Sequence, residues 1–290
     1  MNYLPSKSAL LHCRFLFSFF LLPVYVFAIG QAPEIDVLKA VLVFVIWHLF
    51  IYPASNGYNS YFDKDEGSIA LLEKPPATDK SLYNFSLFLD FVGILLALFV
   101  SLQFTLAVIV FGLLSKLYSH PSARLKKYPV ISFLVVFIFQ GAFVYWTSYS
   151  AISETDLRVA WDTDFMIAGI ICSCLIGASY PLTQVYQHDE DAKRGDTTLS
   201  MILGVRGTFA FAALLFVLAT GLMFVYWNRA GQLENFWIFL GFILPVLAVF
   251  LNWVMKLQRD KSEANFRNMS KMTWVSGVAM CGYFLVLLMG

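Results

Sequence analysis

The sequence is short of charge. Lys, Arg, Asp and Glu make up only 13% of its 290 residues, about half of what a soluble globular domain carries. That shortage excludes an ordinary water-soluble protein, and 59% hydrophobic residues exclude a disordered chain, which would be poor in them. Charge of one sign is not in excess either. The formal net charge of +1 leaves no basic face for nucleic acid. Cysteine is scarce: Cys13, Cys172, Cys174 and Cys281 each sit in an apolar run, which excludes a disulfide scaffold and reads as small buried hydrophobes. Cys172-x-Cys174 also lacks metal-ligand spacing. What the chain has instead is a mean hydropathy of +0.70. Most of it is expected in lipid, as an all-α, polytopic transmembrane bundle.

A membrane-crossing helix needs about 20 mostly apolar residues. Windows of that size predict nine spans, at 9–29, 37–55, 82–101, 103–119, 130–150, 165–187, 208–228, 235–255 and 272–289. Only Leu102 separates the third from the fourth, so a tight turn joins them. The first span follows Lys7 and Arg14 but lacks a small-residue cleavage site before Gln31, so it is expected as a helix and not a signal peptide. With nine spans, seventeen of the twenty Lys and Arg residues share one side, leaving Lys39, Arg158 and Arg229 on the other. Basic loops stay in the cytoplasm. The N-terminus is therefore expected inside and the C-terminus outside, with one domain over residues 1–290.

Two polar clusters stand at that basic side. The first, after span 2, contains Asn59, Asp63, Lys64, Asp65, Glu66 and Gly67, then Lys74-Pro75-Pro76. The second, after span 6, runs from Gln184 through Gln187, His188, Asp189, Glu190, Asp191, Lys193, Arg194, Gly195 and Asp196 to Thr198-Leu199. If helix continues past Pro53, Asn59 and Asp63 share one face, four residues apart, and Gln187 and Asp191 repeat the spacing. Carboxylates and amides converging at the mouth of a bundle suit a hard cation with oxygen ligands, and Mg²⁺ is such an ion. Other polar residues receive plainer readings. Asp90 interrupts span 3, where a charge costs roughly 2.5–3.5 kcal/mol at the helix centre, so it is expected to line a cavity or to pair within the bundle. His48 reads as a packed, hydrogen-bonded histidine, and Arg14 as a snorkelling cation.

The pattern Asn59-x-x-x-Asp63 followed by Lys74-Pro75 resembles the first signature of the UbiA superfamily of intramembrane prenyltransferases. Asp191-x-x-x-Gly195-x-x-Thr198-Leu199, with Leu203-Gly204 beyond it, resembles the second. Tyr118-Ser119 and Arg124-Leu125-Lys126-Lys127 are similar to the family's loop after the fourth helix. The resemblance departs at three points. Ser60 stands beside Asn59 where the signature has Asp, Gly67 replaces the last acid of the first signature, and Gln187 replaces the first acid of the second.

The resemblance implies a membrane enzyme that moves a prenyl group from a prenyl diphosphate to an aromatic, quinone-like or other lipophilic acceptor, assisted by Mg²⁺. It implies Asp63 and Asp191 as catalytic carboxylates and Asn59, Asp63 and Asp191 as metal ligands. Asp65 and Gln187 are candidates to complete that set, although on a continuous helix Asp65 points about 200° from Asp63, so the helix would have to end near Asp63. Lys74, Tyr118, Arg124, Lys126, Lys193 and Arg194 are implied as the grip on the diphosphate. The chain's 29 Phe, 14 Tyr and 7 Trp can wall a carbocation. Two other readings stay open: a catalytically silent member of the fold that binds isoprenoids or partners, and a transporter, whose repeats it echoes.

Overall fold

A computed structural model describes residues 5–157 and 162–289. Besides the short 3-10 turns Leu125–Lys127 and Lys261–Glu263, the described residues form ten helical segments: α1 (Lys7–Gln31), α2 (Val37–Asp63), α3 (Lys80–Ala97), α4 (Leu102–Ser119), α5 (Pro129–Ser153), α6 (Thr163–Gln184), α7 (His188–Lys193), α8 (Leu199–Arg229), α9 (Leu233–Arg259) and α10 (Phe266–Met289). Among the described residues there is no strand, only an isolated bridge between Ile69 and Leu72. All helices except α7 are long and apolar enough to cross a membrane, so the nine expected spans are present. Arg158 lies outside the described residues.

Several boundaries move, each for a local reason. Span 2 does not stop at residue 55. The turn before Pro53 is a π turn, Ile46–Ile51, whose wider hydrogen-bond spacing accommodates a residue with no N–H, and helix continues to Asp63. Span 6 ends at Gln184, short of the expected 187, and α7 follows as a separate turn. Span 7 starts before 208 because Thr198 caps Leu199 onward; its Oγ1 accepts from the Met201 N–H. That helix is broken at Gly204 (φ 66°, ψ 168°), a conformation that only glycine adopts without strain. The tight turn between α3 and α4 is closed by Ser101, whose hydroxyl accepts from the Phe104 N–H.

Backbones approach closely where α5 meets α6. A Cβ on Gly141 would lie 2.4 Å from Ser173 Cα, and Ser173 Oγ accepts from the Ala142 N–H at 2.9 Å. Trp47, Trp227, Trp253, Tyr145, Tyr283 and Phe27 fill the interior, while Val37, Phe99, Val217 and many other large apolar side chains face outward, as lipid requires. The four cysteines are free. At one end Lys39 pairs with Glu154, Arg229 Nε donates to Asp164 at 2.6 Å and Tyr226 donates to Gln31 at 2.5 Å. The opposite end gathers the N-terminal segment and the loops after α2, α4, α6 and α9. There Ser8 Oγ donates to the Ala77 carbonyl, and Tyr186 packs edge-on against Phe266.

Candidate active site

A cavity of about 490 Å³ opens at that second end. Its mouth is polar, lined by Arg14, Asn59, Asp63, Asp65, Tyr118, Lys126, Gln187, Asp191, Arg194 and Asp196. Its depth is apolar, lined by Phe111, Phe139, Phe216, Phe250 and Phe284. Val217, Leu247 and Leu251 line it while also facing outward. The cavity therefore reaches lipid between α8 and α9, in a window bounded by the Phe209–Trp253 and Phe224–Phe236 ring contacts.

The last turn of α2 supplies the first half of the mouth. Asn59 Nδ2 donates to Asp63 Oδ2 at 2.8 Å and to Ser119 Oγ on α4 at 2.9 Å. Lys126, from the loop after α4, sets its Nζ 2.5 Å from Asp63 Oδ1 and 3.4 Å from Asp196 Oδ2. Arg124 grips Asp196 with two bonds of 2.8 Å, the bidentate geometry in which a guanidinium matches a carboxylate. Asp63 and Asp196 thus share one lysine. Tyr118 and Tyr180 meet hydroxyl to hydroxyl at 2.6 Å.

The α2 helix stops at Asp63 because Lys64 turns into the left-handed region (φ 50°). That turn frees Asp65 from the helix, so it lines the cavity and pairs with Arg194 at 2.5 Å. Arg194 also holds Glu190, whose Oε1 accepts from the Glu66 and Gly67 N–H groups at 2.9 and 3.3 Å. A Cβ at Gly67 would fall 2.5 Å from Glu190 Oε2, so any larger residue would push the Glu190 carboxylate aside. Gln187 Nε2 donates to the Ser68 carbonyl at 3.1 Å. These bonds tie the loop after α2 onto α7 and bring Ile69 and Ala70 over the cavity.

The carboxylates differ in their electrostatics. Burial raises the Asp196 carboxyl, but the Arg124 hydrogen bonds and the Lys126 charge outweigh it and leave the group below the usual range. Burial and the Asp63 charge hold Asp65 above it despite Arg194. Burial lifts Asp191 to about 6, against the pull of Lys126 and Arg194. Among the described residues Asp191 is the one cavity carboxylate whose side chain makes no hydrogen bond or salt bridge. Asn59 Oδ1 and Gln187 Oε1 are likewise uncommitted, since both amides bond through nitrogen.

The model of the UbiA prenyltransferase family matches residues 17–277. The chain belongs to that family. It is 28% identical over 241 residues to a digeranylgeranylglyceryl phosphate synthase of Thermococcus gammatolerans, a match that covers 81% of this chain and 80% of the relative. Among solved structures it resembles a digeranylgeranylglyceryl phosphate synthase (TM-score 0.60, 21% identity, 100% and 99% of the two chains). It also resembles a UbiA homolog from Archaeoglobus fulgidus bound to GPP and Mg²⁺ (TM-score 0.65, 18% identity, 98% and 100%). At those identities the structures show a shared fold.

Set on the UbiA fold, the residues singled out from the sequence separate into three groups. Asn59, Asp63, Asp65, Tyr118, Lys126, Gln187, Asp191 and Arg194 line one cavity. Arg124 stands behind them, its guanidinium bound to Asp196. Lys74 and Lys193 are exposed on loop and helix surfaces and are not among the lining residues. Three participants went unnoticed as site residues. Arg14 enters the cavity because α1 breaks there (φ 46°), with its Nε buried and unpartnered, which corrects the snorkelling assignment. Asp196 acts through Arg124 and Lys126, and Glu190 through the Glu66 and Gly67 N–H groups, partners far along the chain that no spacing rule reaches; only the Glu190–Arg194 pair follows helical spacing. Asp90 resolves the other way: it pairs with Lys116 and does not line the cavity.

Among the described residues no three His, Cys, Asp or Glu side chains stand close enough to hold a metal by themselves. The donor set still fits Mg²⁺. That ion takes one or two carboxylates and fills its remaining positions with water and substrate phosphates. One free carboxylate, Asp191, and two free amide oxygens in a cationic mouth match this pattern.

Proposed function

We propose that this chain is a membrane-embedded prenyltransferase acting on a prenyl diphosphate with Mg²⁺. The observation that carries the reading is the joining of Asp63, Asp191, Lys126 and Arg194 at the polar mouth of one apolar cavity. A prenyl diphosphate has the same division, a multiply charged head on an apolar tail. Lys126 and Arg194 would hold phosphate oxygens, with the Tyr118 hydroxyl beside them. Asn59, Asp63 and Asp191 would hold the cation, helped by Asp65 and Gln187. Once bound, Mg²⁺ supplies charge that neutralises the departing diphosphate. In the reaction the prenyl C1–O bond breaks and its electron pair leaves with the diphosphate. The acceptor's nucleophilic atom then bonds to C1 and passes its proton to the released diphosphate. Phe111, Phe139 and Phe216 give the tail and the allylic cation a dry wall with aromatic faces.

The acceptor is lipophilic. Arg14, with an unpartnered Nε at the mouth, favours one that carries an anionic group, such as the glyceryl phosphate in the name of the Thermococcus gammatolerans relative. A neutral quinone-like acceptor leaves that Nε without a partner, with Nη2 held by the Asn56 carbonyl at 3.4 Å. The basic excess at the site's end supports an orientation in the cell membrane with the mouth on the cytoplasmic face. To test the reading, purified protein is given labelled geranylgeranyl diphosphate, Mg²⁺ and either a glycerol phosphate lipid or a hydroxybenzoate. Labelled lipid formed only with Mg²⁺ is the expected product. Labelled hydroxybenzoate alone would overturn the acceptor assignment, and no product with any acceptor would favour the silent form of the fold.

A further inference from the structure

A second pair of opposite charges lies within the spans but outside the cavity. Asp90 on α3 and Lys116 on α4 form an ion pair, both side chains are largely buried, and neither lines the cavity. The Lys116 ammonium also sits 5.0 Å from the centre of the Tyr58 ring on α2. Charges in a span are costly. Apolar replacement of a buried pair is often neutral or stabilising, whereas a pair can fix register. A role beyond stability is therefore the natural place to look.

The geometry of the α3–α4 hairpin shows what the pair fixes. Counted from the turn at Leu98–Ser101, Lys116 stands seven residues nearer the polar end than the position opposite Asp90, about 10 Å along the axis. Cβ atoms tilt toward the N-terminus of their own helix, so Asp90 leans toward the polar end and Lys116 away from it, and the two side chains close that gap. A slide of α4 by one turn, 5.4 Å, would break the pair.

Lys116 is also the middle of three contacts between α4 and α2. Ser115 Oγ donates to Ser55 Oγ at 2.6 Å, Lys116 covers Tyr58, and Ser119 Oγ accepts from Asn59 Nδ2 at 2.9 Å. With Ser119 and Asp63 taking the Asn59 amide N–H groups, Oδ1 is left for the cavity. We propose that Asp90 is a positioning residue: through Lys116 it holds α4 in register with α2, so that Ser119 keeps the Asn59 carbonyl oxygen presented beside Asp63. The inference rests on the cation- and diphosphate-binding reading of the site.

The experiment measures geranylgeranyl diphosphate binding to purified protein across a Mg²⁺ titration. Outer partners of metal ligands typically matter by 10–100-fold in affinity. Asp90→Asn is expected to raise the Mg²⁺ concentration for half-maximal binding about tenfold, the low end of that range. The reversed pair Asp90→Lys/Lys116→Asp keeps the α3–α4 ion pair but gives up the Tyr58 contact, so it should restore part of the lost Mg²⁺ affinity. In an Asn59→Ala background Asp90→Asn should add less than about twofold, because the effect runs through Asn59. If Asp90→Asn fails to fold, Asp90→Leu/Lys116→Met removes both charges and should show the same loss of Mg²⁺ affinity at unchanged melting temperature. An unaltered Mg²⁺ requirement in folded variants would overturn the inference. So would an Asp90→Asn effect that persists at full size without Asn59. A wild-type protein that binds no prenyl diphosphate would overturn the functional reading itself, and this inference with it.

Discussion

Replacing Arg124 with alanine removes the strongest partner of a carboxylate that water barely reaches. Asp196 is 3% exposed and receives two bonds of 2.8 Å from Arg124. Removing one member of a buried pair costs about 3–5 kcal/mol, because the other charge stays buried and unpaired. Two features reduce that figure. The Arg124 side chain is 21% exposed, so water already screens the pair, and Lys126 Nζ remains 3.4 Å from Asp196. The expected loss is about 2–3 kcal/mol, measured by SDS-titrated unfolding of the purified protein and followed by circular dichroism. Arg124→Ala/Asp196→Ala should be more stable than Arg124→Ala alone, since the stranded charge is gone. Prenyl diphosphate binding should fall in Arg124→Ala, because the unpaired Asp196 draws Lys126 away from Asp63. An Arg124→Ala loss under about 0.5 kcal/mol, the range of an exposed pair, would refute the reasoning. So would a double variant weaker than the single one.

Three further outcomes follow from other parts of the structure. Asp191, raised by burial to about 6, is deprotonated above that pH. Its ionised fraction should drop from about 0.9 at pH 7 to about 0.1 at pH 5, so Mg²⁺-dependent binding should weaken up to tenfold over that window; an equally steep pH profile in Asp191→Asn would contradict this. Gly141→Leu drives a side chain into the Ser173 backbone and should cost about 1–3 kcal/mol or more, whereas Gly221→Ala, with nothing within 4 Å, should leave the melting temperature unchanged or raise it. Glu190→Ala removes the acceptor that holds the Glu66 and Gly67 N–H groups, so limited proteolysis between residues 64 and 73 should accelerate, and unchanged cleavage would count against the clamp.

The number of spans was legible because lipid imposes one rule, about 20 apolar residues per crossing, that the sequence obeys window by window. Half of the mouth was legible for a similar reason: Asn59 and Asp63 are bound by helical periodicity, and the structure places them in hydrogen-bond contact. The rest depends on residues distant in sequence. Arg124 finds Asp196 and Lys126 finds Asp63 only because the loops after α2, α4 and α6 meet at one end. Asp65 reaches the cavity because Lys64, and not Gly67, takes the left-handed turn that ends α2. Hydropathy said that Asp90 needed a partner; the choice of Lys116 over the cavity came from how α3 and α4 lie together. Arg14 was misassigned because a break inside an apolar helix leaves no mark on composition. Lys74 and Lys193 share the clusters' sequence but not their cavity, since a loop and the outer face of α7 carry them outward.

The most direct measurement is binding of geranylgeranyl diphosphate to the purified protein, with and without Mg²⁺, for wild type, Asp63→Ala and Asp191→Ala. Wild type should bind only with Mg²⁺, and both variants should stay folded and lose that dependence together with most of the affinity. Tight binding by both variants, or Mg²⁺-independent binding by wild type, would contradict a diphosphate site built on these two carboxylates.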